Sequence, residues 1–529
     1  MKTKLLLCFL GSFGSYTLAQ LPTLSWNTFV VKDPVQSPGF LEVKDINADG
    51  KLDIVMSTLM EQGSAANQAT TKGAIRHFQY NAQNGISGPW TETMVLPLTS
   101  NLPFINHPQV MDVDGDGVQD ILVQQGFINT QGGSHSWLKG PSFTQKFDFS
   151  PNTTHGSTSF FWHESVQIDL DLDGKKDIVT TSANNEVSPV QKKIEYYRNL
   201  GNGNFEHYVL NDSLGGVFIK NFDVDQDGDQ DIVVSQFFGA PNAPALVWLE
   251  NTQAPSAANG YLGQWNYHVI DHTTGLGYYL DFYDIDMDGQ KELIYGNHNN
   301  LDNTAAPLIS GVYYFEIPAN PVTSSQWTKK TISEGYPIDA FDFGNPSSQG
   351  SPGIFDIGDI DGNGYPDVVL PGDGADHLFL IRQTSTGTWV KEQIATGRMF
   401  GMAKMVDIDQ NGDLEIVATM HDFPEIWEIL TPPAGHIKIY DPVIPLGIAE
   451  TSLLSWSVYP NPSNGSVTIK GLENLEVYQL RVVDNQGRMV QQFMGQPEIG
   501  FTLSFTQQGI YHILMDTKEG QQVQKVIIQ

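Results

Sequence analysis

The side chains with the plainest chemistry in this chain are carboxylates repeated at a fixed spacing. A nine-residue pattern, Asp-x-(Asp/Asn)-x-(Asp/Asn)-Gly-x-x-(Asp/Glu), occurs seven times, beginning at Asp45, Asp112, Asp169, Asp223, Asp284, Asp359 and Asp407. Oxygen-bearing side chains at positions 1, 3, 5 and 9, a glycine at 6 for a sharp turn and a backbone carbonyl near 7 suit a hard cation that takes six to eight oxygens. Calcium fits such a set. Magnesium demands a rigid octahedron and keeps its waters, and zinc asks for His or Cys, which none of the seven loops contains.

The candidate ligands are Asp45, Asn47, Asp49 and Asp53 in the first loop and Asp112, Asp114, Asp116 and Asp120 in the second. The third and fourth loops supply Asp169, Asp171, Asp173, Asp177 and Asp223, Asp225, Asp227, Asp231. The last three supply Asp284, Asp286, Asp288, Glu292, then Asp359, Asp361, Asn363, Asp367, and finally Asp407, Asp409, Asn411, Glu415. A single Asp/Gly-rich segment of this kind reads as a solvated turn. Seven of them carry 25 carboxylates at these positions, and like charges set within a few Å of one another call for a counter-charge. Up to seven calcium ions are expected, with folding coupled to the metal. Asn47, Asn363 and Asn411 lower the ligand charge, so loops one, six and seven are expected to bind more weakly.

The first half of the pattern is shared with the EF-hand, which needs a bidentate Glu at position 12. Position 12 here holds Met56, Val123, Thr180, Val234, Tyr295, Leu370 and Ala418. Each loop instead runs into β-branched and apolar residues, as in DIVVS from Asp231, so a strand rather than a helix must carry it. The loops recur at intervals of 67, 57, 54, 61, 75 and 48 residues, enough for four short strands and variable connections, the arrangement of propeller blades. Segments of one type end the repeats: WTETMV from Trp90, WNYHVI from Trp265, WTKKTI from Trp327 and WVKEQI from Trp389. A matching WNTFVV from Trp26 precedes the first loop, and the simplest reading is that it closes the ring as the outer strand of the seventh blade. The competing candidate for that strand is HIKIYD from His436.

These repeats resemble the FG-GAP/VCBS type of integrin α-chain propellers and of many secreted bacterial proteins. The resemblance spans residues 20–440 and implies an all-β, seven-bladed β-propeller with calcium-binding loops. In each blade it implies an inner strand before the loop, a second strand after it, and two more strands further out. For blade three these are HESVQI, DIVTTS, KIEYYRNL and FEHYVL.

After a linker at 441–454 the composition changes. Residues 455–529 read as alternating strands parted by Asn-Gly and Glu-Gly turns, a small β-sandwich. Its YPNP-x-x-G start at Tyr459, its Gly509-Ile510-Tyr511 strand and its Lys525-Val526-Ile527-Ile528 ending resemble the type A C-terminal sorting domain of the type IX secretion system. That resemblance implies passage across a Bacteroidetes-type outer membrane, with the secretion machinery as a partner.

At the other end, Lys2 and Lys4, an apolar run from Leu5 to Phe13 and Thr17-Leu18-Ala19 have the make-up of a signal peptide, residues 1–19. The single cysteine, Cys8, lies inside it, so the expected mature chain has no thiol chemistry. No later apolar stretch is long enough to span a bilayer. With 60 acidic against 28 basic side chains and a formal charge of −32, nucleic acid is not an expected partner.

In a propeller of this connectivity the acidic loops lie on one face, and the turns between second and third strands lie on the other. That order places His135, His298, His377 and His421 on second-to-third turns and His107, His163 and Glu164 near inner-strand starts. Tyr278, Tyr279, Trp162, Asn297, Asn299, Asn300 and Asp422 accompany them, residue types that stack on sugar rings and bond hydroxyls. No nucleophile elbow, phosphate-binding glycine loop or zinc-protease helix is present. The expected function is a secreted or cell-surface, calcium-binding adhesion module that recognises an extracellular glycan or protein. The alternative is a carbohydrate-active enzyme, a polysaccharide lyase or sugar dehydratase, working from the histidine-bearing face.

Overall fold

The computed structural model describes residues 24–529 apart from 65–66, 82–84, 127–131, 239–243, 276, 299–309, 325–326, 337–351, 374–375, 398, 422–433, 444–455, 473–476, 485–487, 499 and 518–519. The expected signal peptide, residues 1–19, and the residues Asn299, Asn300 and Asp422 lie outside this set. The chain divides into two compact units, Met1–Val443 and Ile444–Gln529.

Seven four-stranded antiparallel sheets make up the first unit, one for each acidic loop, and the unit is a seven-bladed β-propeller. Blade three runs Phe161–Ile168, Asp177–Asn184, Gln191–Gly201, Asn204–Asn211 in spatial as in chain order. Burial falls from the second strand outward. The second strands Asp53–Thr58, Asp120–Gln125 and Asp177–Asn184 are buried along their whole length, because both faces of each sheet are covered by the neighbouring blades. Their Ile, Val and Leu runs are what a doubly covered strand requires. Outer strands such as Thr91–Leu96 and Thr388–Thr396 alternate instead, as a half-solvated edge does.

Every blade is joined to the next near the axis, by hydrogen bonds or ring stacking. Lys44 Nζ donates to the Val110 carbonyl (2.8 Å) and Gln109 Nε2 to that of Ser165 (2.8 Å). Gly216 N–H donates to Thr181 Oγ1 (2.6 Å), Gln383 Nε2 to the Ile285 carbonyl (2.9 Å) and Met405 N–H to Asp356 Oδ2 (2.8 Å). Phe222 stacks on Phe282 at 4.3 Å between blades four and five. Thr419 Oγ1 donates to the Gly39 carbonyl at 2.6 Å, joining blade seven to blade one and completing the circle.

Blade seven settles the closing strand. Its order is Ser25–Gln36, Ala434–Val443, Glu415–His421, Met399–Val406, with Trp26 opposite Pro442 and Phe29 opposite Ile439. The WNTFVV segment is thus the outer strand, and HIKIYD is the third strand, paired on both edges. The two candidates occupy adjacent places in one sheet.

The second unit has its own core of Trp456, Val467, Ile469, Leu480, Val482, Ile513, Met515 and Val526. A three-stranded sheet, Ser457–Tyr459, Ser466–Lys470 and Thr502–Ser504, contributes one side. A four-stranded sheet of Met489–Met494, Val477–Asp484, Gly509–Thr517 and Gly520–Ile528 contributes the other. The two sequence features noted at its start and end meet. Asn461 Nδ2 donates to the Lys525 carbonyl at 2.7 Å while its Oδ1 accepts from Ile527 N–H at 2.9 Å.

Candidate metal loops and the opposite face

In each loop the position 1 carboxylate organises the turn. Asp223 Oδ1 accepts the Asp227 N–H at 3.1 Å and Oδ2 the Gly228 N–H at 3.1 Å. The same pair of bonds recurs at Asp45, Asp112, Asp169, Asp359 and Asp407. These bonds aim the backbone amides at one side of the carboxylate and leave its other lone pairs facing positions 3 and 9. The position 6 glycine is required by conformation rather than by space: its φ lies between +83° and +102° in all seven loops, yet an added Cβ would meet nothing within 4 Å.

A second left-handed residue, not signalled by the pattern, sits at position 4. Ala48, Leu172, Gln226, Met287 and Gln410 have φ near +60°, and Gly115 and Gly362 fill the same place in loops two and six. For an L side chain this costs about 1 kcal/mol. The loops hold it because the position 1 bonds on either side over-determine the turn.

Position 9 is a buried carboxylate that ties the loop to the sheet. Asp231 Oδ2 accepts the Val224 N–H at 3.0 Å, and Oδ1 the Asn251 N–H of the third strand at 2.8 Å. Asp120, Asp177 and Asp367 make the corresponding two bonds. Desolvation pushes these carboxyls up, to about 6 at Asp120 and Asp177, about 7 at Asp231 and about 8 at Asp367. Positions 1, 3 and 9 converge: in each of loops two to six, one oxygen from each of the three side chains lies within 4.8 Å of the others. Carboxylate oxygens so placed fit a calcium ion. Further support comes from buried oxygens with no hydrogen-bond partner, Asp284 Oδ1 and Asp286 Oδ1 in loop five and Glu415 Oε1 in loop seven. Glu415 is fully buried.

The opposite end of the sheets differs from the sequence expectation. His135 and His377 begin third strands and His298 follows the second strand Glu292–Asn297, at the ends away from the acidic loops. They do not form an open polar face. His135 is buried against Phe149 (4.4 Å) and Tyr197 (5.0 Å). His298 lies 3.6 Å from the Tyr278 ring and is 1% exposed, and His377 packs on Phe379 at 4.3 Å. His163 touches the edges of Phe40 and Phe218, and His107 Nε2 lies 3.4 Å from Glu42 Oε2. His421 ends the strand Glu415–His421, and its side chain falls outside the described residues.

Tyr278 and Tyr279 are blade packing. Both meet Phe218 edge-on, and Tyr279 continues to Phe355 at 4.9 Å, so aromatic rings from blades one, three, four, five and six form a belt around the axis. Glu164 is buried with Oε1 3.1 Å from Lys220 Nζ, and its Oε2 accepts the Ile219 N–H. Lys220 also reaches Tyr279 Oη at 3.3 Å and Asp281 at 4.0 Å, and Lys404 lies 3.8 Å from Asp356. Lys220, Asp281, Asp356 and Lys404 stand three residues before their acidic loops, and Glu164 five before its own. Of these only Glu164 stood out in the sequence, because only the ring brings Lys220, Asp281, Asp356 and Lys404 together.

Desolvation holds the imidazoles of His135, His163 and His298 down at about 3. Unfolded histidine titrates near 6.5, so below that pH the unfolded chain binds more protons and stability falls as pH drops. The expected slope, with calcium present, is about 1.4 kcal/mol per histidine for each pH unit below 6.5. Urea unfolding midpoints from pH 8 to 4 measure it. A His135→Phe variant, which keeps the stacking, is expected to show a slope less steep than the wild type's by about 1.4 kcal/mol per pH unit below 6.5.

Together, the fold and the loops define a β-propeller with an acidic hard-cation motif in every blade, joined to a separate β-sandwich. Two family models match: the FG-GAP-like repeat over residues 45–123, 169–234 and 359–418, and the secretion system C-terminal sorting domain over 457–529. The chain carries both. Integrin alpha-PS2 of Drosophila melanogaster is 26% identical over 231 residues, which are 39% of this chain and 15% of that protein. The chain thus matches only a small part of the integrin's length.

Among solved structures, rhamnogalacturonan lyase YesW is 12% identical with a TM-score of 0.40, covering 78% of this chain and 75% of that one. The extracellular domain of a putative hybrid two component system, BT4673, from B. thetaiotaomicron is 9% identical with a TM-score of 0.39, covering 96% and 59%. The sorting domain marks the chain for export, to secretion or to cell-surface attachment. Among the described residues no helix is long and apolar enough to cross a membrane.

Proposed function

We propose that this protein is a calcium-binding propeller of the cell exterior that recognises an extracellular glycan or protein, delivered there by the type IX machinery acting on its C-terminal sandwich. The observation that carries the calcium reading is the convergence of positions 1, 3 and 9 within 4.8 Å, with buried carboxylate oxygens left unpartnered among them. A divalent ion satisfies those oxygens and relieves their mutual repulsion. The 28 ligands are those of the seven loops named above, from Asp45 to Glu415.

Binding is favoured over catalysis by the state of the candidate acids and bases. His163 and His298 are buried and held neutral, and Glu164 is spent on Lys220 and a backbone amide. A general acid or base has to reach a substrate proton and titrate near the working pH. The turns at the second-to-third end, rather than these side chains, are the ligand surface in this reading. The test is an array of extracellular polysaccharides and matrix proteins probed with the full chain in calcium and in EGTA, followed by product analysis of every hit. Retention of an intact ligand is expected. Release of unsaturated or shortened sugars would establish the enzymatic alternative instead.

A further inference from the structure

The strand register sets one third-strand residue beside each acidic loop, and its charge differs from blade to blade. Ile121 pairs with Leu138, Ile178 with Tyr197 and Val368 with Ile381, so the next residues, Lys139, Arg198 and Arg382, stand across from position 9. All three turn onto the position 3 carboxylate. Lys139 is bonded to Asp114 and lies 2.7 Å from Asp116, Arg198 Nε donates to Asp171, and Arg382 Nη1 is 2.9 Å from Asp361.

In three of the other four blades the same register place is acidic. Ile232 pairs with Leu249, Leu293 with Phe315 and Ile416 with Tyr440, which brings Glu250, Glu316 and Asp441 to loops four, five and seven. Glu250 repels Asp225, Glu316 repels Asp286, and Asp441 repels both Asp409 and Glu415. Among the candidate ligands, the unpartnered buried oxygens follow this division: Asp284 Oδ1, Asp286 Oδ1 and the fully buried Glu415 Oε1 belong to acid-faced loops, against Asp114 Oδ1 in a base-faced one. Loop one is faced by neutral Gln79, while His77 Nε2 stands 2.9 Å from Asp53.

Resting on the calcium reading, we propose that six of the seven loops are of two kinds, loop one being faced by neutral Gln79. Loops four, five and seven are the tight calcium sites, and loops two, three and six carry a built-in counter-ion, the side chain of Lys139, Arg198 or Arg382. A lysine or arginine already on the position 3 carboxylate neutralises the cluster and competes with the metal for its oxygens. Replacing a +1 group by a −1 group about 6 Å from a divalent ion tightens binding on the order of 100-fold even at the dielectric of water. Loop seven, with three acids of its own, therefore ranks among the strong sites because of Asp441. Loop five is the weakest of the three, since Lys330 is bonded to Glu316 and lies 3.8 Å from Asp286.

Calorimetric titration of chelator-treated full chain with calcium alone tests this. Three tight sites are expected, with Glu250→Lys lowering that number to two and Arg198→Glu raising it to four. Circular dichroism checks that both variants are folded. If Glu250→Lys does not fold, Glu250→Gln is expected to weaken one of the three sites about 10-fold. Seven equivalent sites, or a stoichiometry indifferent to both charge reversals, overturns the division while leaving the calcium reading intact. Absence of any calcium binding overturns the calcium reading itself.

Discussion

Chelation with EGTA is expected to lower the melting temperature of the propeller by about 10 °C. A ligand at 100 times its dissociation constant stabilises the native state by about 2.7 kcal/mol per site, so three independent tight sites contribute about 8 kcal/mol. A domain of more than 400 residues shifts by only about 1–2 °C per kcal/mol, less than smaller domains do. The direction follows from electrostatics: without the ion, the carboxylates of loops four, five and seven face one another and the added charges of Glu250, Glu316 and Asp441. The sandwich has a separate core and no acidic loop, so its own transition is expected to stay where it is. An unchanged melting profile in EGTA, measured by calorimetry at matched ionic strength, would remove calcium from the account of stability.

Deleting residues 20–36 is expected to open the ring, with loss of the cooperative melting transition and association into oligomers. The strand Ser25–Gln36 carries Trp26, Phe29 and Val31 onto the propeller core, and it covers an edge of Ala434–Val443 running from Ala434 to Val443. Losing two half-buried aromatic anchors exposes the apolar surface they cover, and the bare edge offers unpaired N–H and C=O groups to another chain. Light scattering and calorimetry read the two effects. A truncated chain that stayed monomeric with its melting temperature intact would show that the blade-to-blade bonds, such as Thr419 to Gly39, hold the circle without the closing strand.

The acidic loops and the sheets that carry them were legible in the sequence because each loop's geometry is written within nine consecutive residues. Position 1 bonds the amides of positions 5 and 6, and the buried run after position 9 is a strand that neighbouring blades cover on both faces. The closing strand was legible from its likeness to four other outer strands, since the same place in a sheet selects the same alternation. Other features depended on contacts between residues far apart in the chain. His135 and His298 look like loop histidines until the neighbouring blades bury them beside Phe149 and Tyr278. Leu172 and Gln226 carry no mark of a left-handed conformation, which the two bonds to position 1 impose. Whether Lys139, Glu250 or Asp441 faces a loop is decided by cross-strand register, because the connection between second and third strands varies in length from blade to blade. Local spacing therefore determined where a cation could be held, and the pairing of distant strands decided what charge it would meet there.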